Sequence, residues 1–171
     1  MKKIIFLLCF IVLICFILFT PYKLVFSFEE TRTTNGQVFY IPLHKQEPNF
    51  QFIYTHSIHL SDVVEYYEVM NNHTVKSIAM EYEDLAIGMP GNAEEGQTFK
   101  VVDGKYRLEF DSNSFKSFTL HISNITSKQH FLYGDTEYDL KNVLKKGSSY
   151  LFSVKKVSIL EWWKGGFAKN D

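Results

Sequence analysis

From Val38 to Leu160 the chain is a succession of short apolar runs, each closed by turn residues, and this pattern limits the fold more than any other feature. The runs are VFYIPL, NFQFIYTHSIHL, VVEYYEVM, TVKSIAMEYEDLAI, TFKVVD, KYRLEF, SFTLHISNI, HFLY and SSYLFSVKKVSIL. Their β-branched and aromatic residues fit a pleated, half-buried surface, and the Asn, Asp, Gly and Ser between them break the chain into strands. With 16 Phe and 10 Tyr, the rings are numerous enough to build a core. The pattern predicts an all-β fold, an antiparallel β-sandwich or partly open barrel of about eight or nine short strands.

Turn chemistry sharpens that expectation. Asp103-Gly104 in VVDGKY tolerates the positive φ of a type I′ turn at both positions and predicts a hairpin. Pro90-Gly91 in GMPGN stands in the order a type II turn requires. Pro42 places the first run at a sheet edge, because it has no N–H to donate. Only DTEYDLKNVLKKG reads as helical: Asp135 is placed to cap it, Leu140, Val143 and Leu144 share a face, and Gly147 stops it. One short helix is therefore predicted.

The N-terminus differs from the rest. Lys2 and Lys3 precede an uninterrupted apolar run from Ile4 to Phe19, the pattern of a signal anchor or signal peptide. Sixteen residues make roughly 24 Å of helix, so spanning a hydrocarbon core of roughly 30 Å requires Thr20 to Tyr22 to extend it and Lys23 to snorkel. The only small-residue cleavage position is after Ser27. The reading is a single-pass protein with a cytoplasmic N-terminus and an extracytoplasmic body, secreted if the segment is cleaved. The predicted division is residues 1–28 as anchor or signal, 29–47 as linker and first edge strand, 48–160 as the all-β domain, and 161–171 as an aromatic tail containing Trp162 and Trp163.

Composition excludes several chemistries. Both cysteines, Cys9 and Cys15, lie inside the apolar run, so the body has no thiol for a disulfide, a thiolate metal site or a nucleophile. The 18 Lys and Arg against 19 Asp and Glu are interspersed, with a formal net charge of −1, which does not suit nucleic acid. No phosphate-binding glycine motif is present, and no cofactor is expected.

The stretch YTHSIHLSDVVEYYEV carries the candidate site. Strand alternation puts Phe52, Tyr54, His56 and Ile58 on one face of the first run, and Val63, Glu65, Tyr67 and Val69 on one face of the second, and pairing the runs brings the two sets together. A hairpin with its tip at Leu60-Ser61, or a four-residue loop from His59 to Asp62 at the same pairing, sets His56 opposite Glu65 in an otherwise apolar layer. A buried carboxylate needs such a partner. The pair then either fixes strand register or helps to bind a ligand. His56 and His59 point to opposite faces of a strand, so no metal site is expected. Ser57 beside His56 suggests a hydrolase only remotely, since neighbouring strand residues face apart and no nucleophile elbow is present. His44, His73, His121 and His130 are scattered singles.

YTHSIHLSDVVEYYEV, followed by EYEDLAIGMP, FKVVDGKYRL and YDLKNVLKKGSSYLFSV, resembles in order and spacing a domain-of-unknown-function family of small exported bacterial proteins. These are often encoded beside TAXI-type TRAP transporters, solute-uptake systems with a separate binding protein. The resemblance covers roughly Phe50 to Val157 and rests on His56-Ser57, Glu65 nine residues after His56, and Gly88-Met89-Pro90. Where the family often has proline between the two runs, this chain has Asp62. The resemblance implies a non-catalytic accessory module near a TRAP-type transporter, with its membrane subunits or binding protein as partners. The alternative is a small-ligand or ion-binding protein using His56, Ser57 and Glu65, with Gly88, Met89 and Pro90 as a rim.

Overall fold

The computed structural model describes residues 2–34, 36–58, 60–85, 88–125 and 127–167, excluding the side chain of Phe167. It opens with α1 (Lys2–Phe19), none of whose residues is buried by the rest of the protein. Strands follow in order: β1 (Lys23–Glu30), β2 (Val38–Pro42), β3 (Asn49–Thr55), β4 (Asp62–Val69), β5 (Val75–Tyr82), β6 (Gln97–Val102), β7 (Lys105–Phe110), β8 (Ser114–Phe115), β9 (Ser117–His121), β10 (Gln129–Tyr133) and β11 (Thr136–Asp139). The chain then forms α2 (Leu140–Val143), β12 (Ser149–Val157), α3 (Ile159–Lys164) and β13 (Gly166–Phe167).

The strands form two sheets packed as an open sandwich. The smaller sheet runs β13-β2-β1-β12-β9, and the larger runs β11-β10-β3-β4-β5-β7-β6, with β8 beside β5. All pairings are antiparallel except the short β13–β2 contact. The all-β expectation and the sandwich alternative hold, and the barrel does not close. Strands exceed the predicted number because β1 lies in the segment read as anchor, β11 lies in the predicted helix, and the two-residue β8 and β13 lie outside the predicted runs.

Phenylalanine rings fill the space between the sheets. Phe26, Phe28, Phe131 and Phe152 are fully buried, with Phe50 and Phe52 nearly so. Phe26 meets Phe50 and Phe131 edge to face at 5.0 and 5.1 Å, while Phe52 meets Phe152 in the same manner at 5.2 Å. Such pairs add about 0.5–1.5 kcal/mol each beyond the gain from removing rings from water. This is how a body without disulfides is held together.

Several local expectations need correction. Residue 28 is not a domain boundary: β1 spans it, and Val25, Phe26, Ser27 and Phe28 are all inaccessible to solvent. Strand β1 pairs with β12 from Lys23↔Val157 to Glu30↔Tyr150, so part of the segment assigned to the anchor belongs to the core. The helix predicted from Asp135 is also wrong. Gly134 adopts a positive φ of 57°, the chain turns back as β11 against β10, and Asp139 caps only one helical turn.

A second short helix, α3, follows β12. Ser158 and Glu161 form a reciprocal capping box, with Ser158 N–H to Glu161 Oε2 at 2.8 Å and Glu161 N–H to Ser158 Oγ at 3.2 Å. It lies over the outer face of the smaller sheet, where Trp162 stacks on Tyr40 at 6.1 Å between centroids. Gly165 permits this approach, because a Cβ there would stand 2.3 Å from Tyr40 Cδ2.

The Asp103-Gly104 turn forms as expected, with φ of 50° and 79°, and joins β6 to β7. The Pro90-Gly91 type II turn does not. It requires a positive φ at Gly91, whereas in this loop Gly88 adopts it, at 91°.

Candidate functional site

The β3–β4 hairpin positions Glu65, with a different register from that expected. Phe52 faces Glu65, Tyr54 faces Val63, and Thr55 faces Asp62. Relative to the predicted pairing the strands have slid by an even number of residues, so the faces are preserved and every partner changes. His56 therefore does not stand opposite Glu65. It begins a six-residue connection in which His56 N–H donates to Ser61 O at 2.8 Å, Leu60 N–H donates to His56 O at 2.9 Å, and Leu60 adopts φ 56°. The end of the hairpin explains this choice: Thr55 Oγ1 donates to Asp62 Oδ1 at 3.1 Å, and Lys128 Nζ reaches Asp62 Oδ2 at 2.6 Å.

Glu65 still points into the aromatic layer, but tyrosines take the role expected of the histidine. Tyr67 donates its hydroxyl to Glu65 Oε2 at 2.8 Å, and Tyr54 donates to Oε1 at 3.4 Å. Burial raises the Glu65 acid above the ordinary carboxylate range, and the two tyrosine hydrogen bonds only partly oppose it. Burial, reinforced by the Glu65 charge, likewise pushes both phenols up. Among the described residues no Lys, Arg or His is ion-paired with Glu65.

Glu65, Tyr54 and Tyr67 line a cavity of about 440 Å³ between the larger sheet and β9, the edge strand of the smaller one. Phe52, Phe115 and Phe118 supply ring surface, and Gln129, His121 and His130 also border it. The other sequence-derived site residues lie elsewhere. Ser57 is exposed in the connection after β3, and Gly88, Met89 and Pro90 follow β5; none of the four lines this cavity. His59 lies outside the described residues, so the His56/His59 pair is not assessed. No cluster of three or more metal-ligating side chains occurs among the described residues.

The sequence reading lacks two partners of Glu65 and one further side-chain couple. Tyr54 and Tyr67 share Glu65's face by simple alternation, a signal that was present and went unused. The third feature is His121 Nδ1 within 3.2 Å of Ser149 Oγ, a directly paired cross-strand couple between β9 and β12. It is exposed, and no carboxylate hydrogen-bonded to that imidazole occurs among the described residues.

A family model for a domain of unknown function, DUF1850, matches residues 50–140, just over half of the chain. The chain belongs to the DUF1850 family. The DUF1850 span includes almost the whole of the larger sheet together with β9, and hence Glu65, both tyrosines and nearly all of the cavity wall. Strands β1, β2, β12 and β13, which complete the smaller sheet, lie outside the matched span. No curated protein and no solved structure matches the chain.

Proposed function

We propose that this DUF1850 protein is a non-catalytic accessory module held at the outer surface of the cytoplasmic membrane by α1, working beside a TAXI-type TRAP uptake system. The observation that carries the anchoring is the spacing between α1 and the core. The apolar helix ends at Phe19 and β1 begins at Lys23, so three residues connect them. Cleavage after Ser27 would divide β1 and remove the fully buried Val25 and Phe26, which favours a retained anchor over a removed signal. Lys2 and Lys3 favour a cytoplasmic N-terminus.

The surface next to α1 suits a bilayer interface. Helix α3 touches α1 and exposes Trp163 at 81%. Lys23 Nζ sits 3.5 Å from the Trp162 ring centroid, and Tyr22 beside it is exposed at 59%. Aromatic and basic side chains of this kind favour the headgroup level. The transporter association rests on the resemblance carried by His56-Ser57, Glu65 and Gly88-Met89-Pro90.

The test is purification of tagged full-length protein from gently solubilised membranes of the native cell. The expected outcome is an intact chain in the carbonate-resistant membrane fraction, co-purifying with TRAP-type membrane subunits or their binding protein. A soluble chain shorter by the N-terminal segment would overturn the anchoring. An intact membrane-bound chain without transporter proteins would overturn the association.

A further inference from the structure

Among the described residues, the ion pairs leave out the carboxylate that points between the sheets. Glu29, Glu30, Asp62, Glu81, Glu83, Glu109 and Glu137 each lie within 4 Å of a basic side chain. Glu65, set between the sheets, has only neutral phenols as hydrogen-bond partners among the described residues. A carboxylate withdrawn from water without a counter-charge is costly, and burial accordingly raises its acid. The nearby lysines are committed elsewhere: Lys128 to Asp62, and Lys141 to the Ile125 and Ser127 carbonyls.

The space beside this carboxylate is within the size range of small-ligand sites, and much of its wall is aromatic. Ring faces attract cations and exclude water from them, so a carboxylate at one side and rings around it complement a positively charged organic group. A metal ion needs more oxygen ligands than one carboxylate and two phenols supply. We propose that the cavity formed by Glu65, Tyr54, Tyr67, Phe52, Phe115 and Phe118 is a binding site for an organic ammonium ion, with Glu65 as its counter-charge. The site stands independently of the membrane anchoring and the transporter association.

The probe is choline, compared with its uncharged isostere 3,3-dimethyl-1-butanol, added to the full-length protein in a maltoside detergent at fixed ionic strength. Thermal unfolding followed by tyrosine and tryptophan fluorescence gives the readout. Choline is expected to raise the Tm saturably, and the isostere to leave it unchanged. Glu65→Gln is expected to abolish the shift. Leu120→Trp, which adds bulk to the cavity from β9 and leaves the carboxylate in place, is expected to reduce choline affinity at least tenfold, and it serves if the Glu65 variant does not fold. An absent or non-saturating choline effect, an equal effect of the isostere, or a full effect in either folded variant would overturn the proposal.

Discussion

Two glutamates one register step apart in the β4–β5 pairing show how the faces of one sheet impose opposite chemistry. Val64 pairs with Glu81 and Glu65 with Met80, so the two carboxylates project from opposite sides of the larger sheet. Each accepts a tyrosine hydroxyl at 2.8 Å, Glu81 from Tyr66 and Glu65 from Tyr67. Glu81 also has the Arg107 guanidinium, itself bonded to Glu109 at 3.0 Å and lying 5.1 Å from the Tyr66 ring centroid. Burial opposes ionisation at both, yet Tyr66 and Arg107 bring Glu81 below the usual carboxylate range while Glu65 stays above it. The phenol is common to both, so the difference lies in a cation and in the deeper burial of Glu65. Satisfying hydrogen bonds and neutralising charge are separate requirements, and the inner face meets only the first.

The comparison can be broken most strongly by removing both inner phenols. Tyr54→Phe combined with Tyr67→Phe strips Glu65 of its donors, and the expected loss is about 3 kcal/mol in urea unfolding at pH 7. A loss below 1 kcal/mol would mean that water already serves the carboxylate. Glu65→Gln is expected to cost about 1–3 kcal/mol at pH 4 through disturbed hydrogen bonding. Because the folded-state pKa of Glu65 is raised, its stabilising contribution is complete below the ordinary carboxylate range and is lost as pH rises through the folded value. The cost of the substitution should therefore shrink towards pH 8.

Glu81→Gln should show the reverse slope. Its depressed acid contributes above the ordinary range and loses that contribution as pH falls through the folded value, so the penalty is greatest near neutrality. Converting the outer site into a copy of the inner one by Arg107→Met is expected to cost about 1 kcal/mol and to move the Glu81 titration upward, measurable by carboxyl NMR. The smallest effect belongs to the exposed Lys105–Glu83 pair, 3.1 Å apart, where Lys105→Ala should change stability by less than about 0.5 kcal/mol and less still in 1 M salt.

What could be read without coordinates followed the range of each interaction. The Asp103-Gly104 hairpin is decided by two adjacent backbone conformations, and it was legible. The placement of Glu65 on an aromatic face was legible too, because a period of two survives an even slip. Its partner was not: register here depends on Thr55, Asp62 and the distant Lys128, which no local pattern connects. The helix start at Asp135 failed because Gly134 at positive φ favoured a hairpin, leaving Asp139 as the cap. The Ser158-to-Glu161 box was visible in SILE but was absorbed into a strand by its apolar neighbours. The division at residue 28 failed because the apolar character of Val25, Phe26 and Phe28 suits a signal segment and a central strand equally.

The pairing of Lys23 with Val157 has a kinetic consequence. The β1–β2 hairpin is able to form early, but the surface that β1 offers to β12 stays open until the chain has been delivered as far as Val157. Closure of the smaller sheet is then a long-range event that waits for the synthesis of β12. During that interval the rings of Phe26 and Phe28 are without their final cover, and apolar surface left open in this way is prone to aggregation.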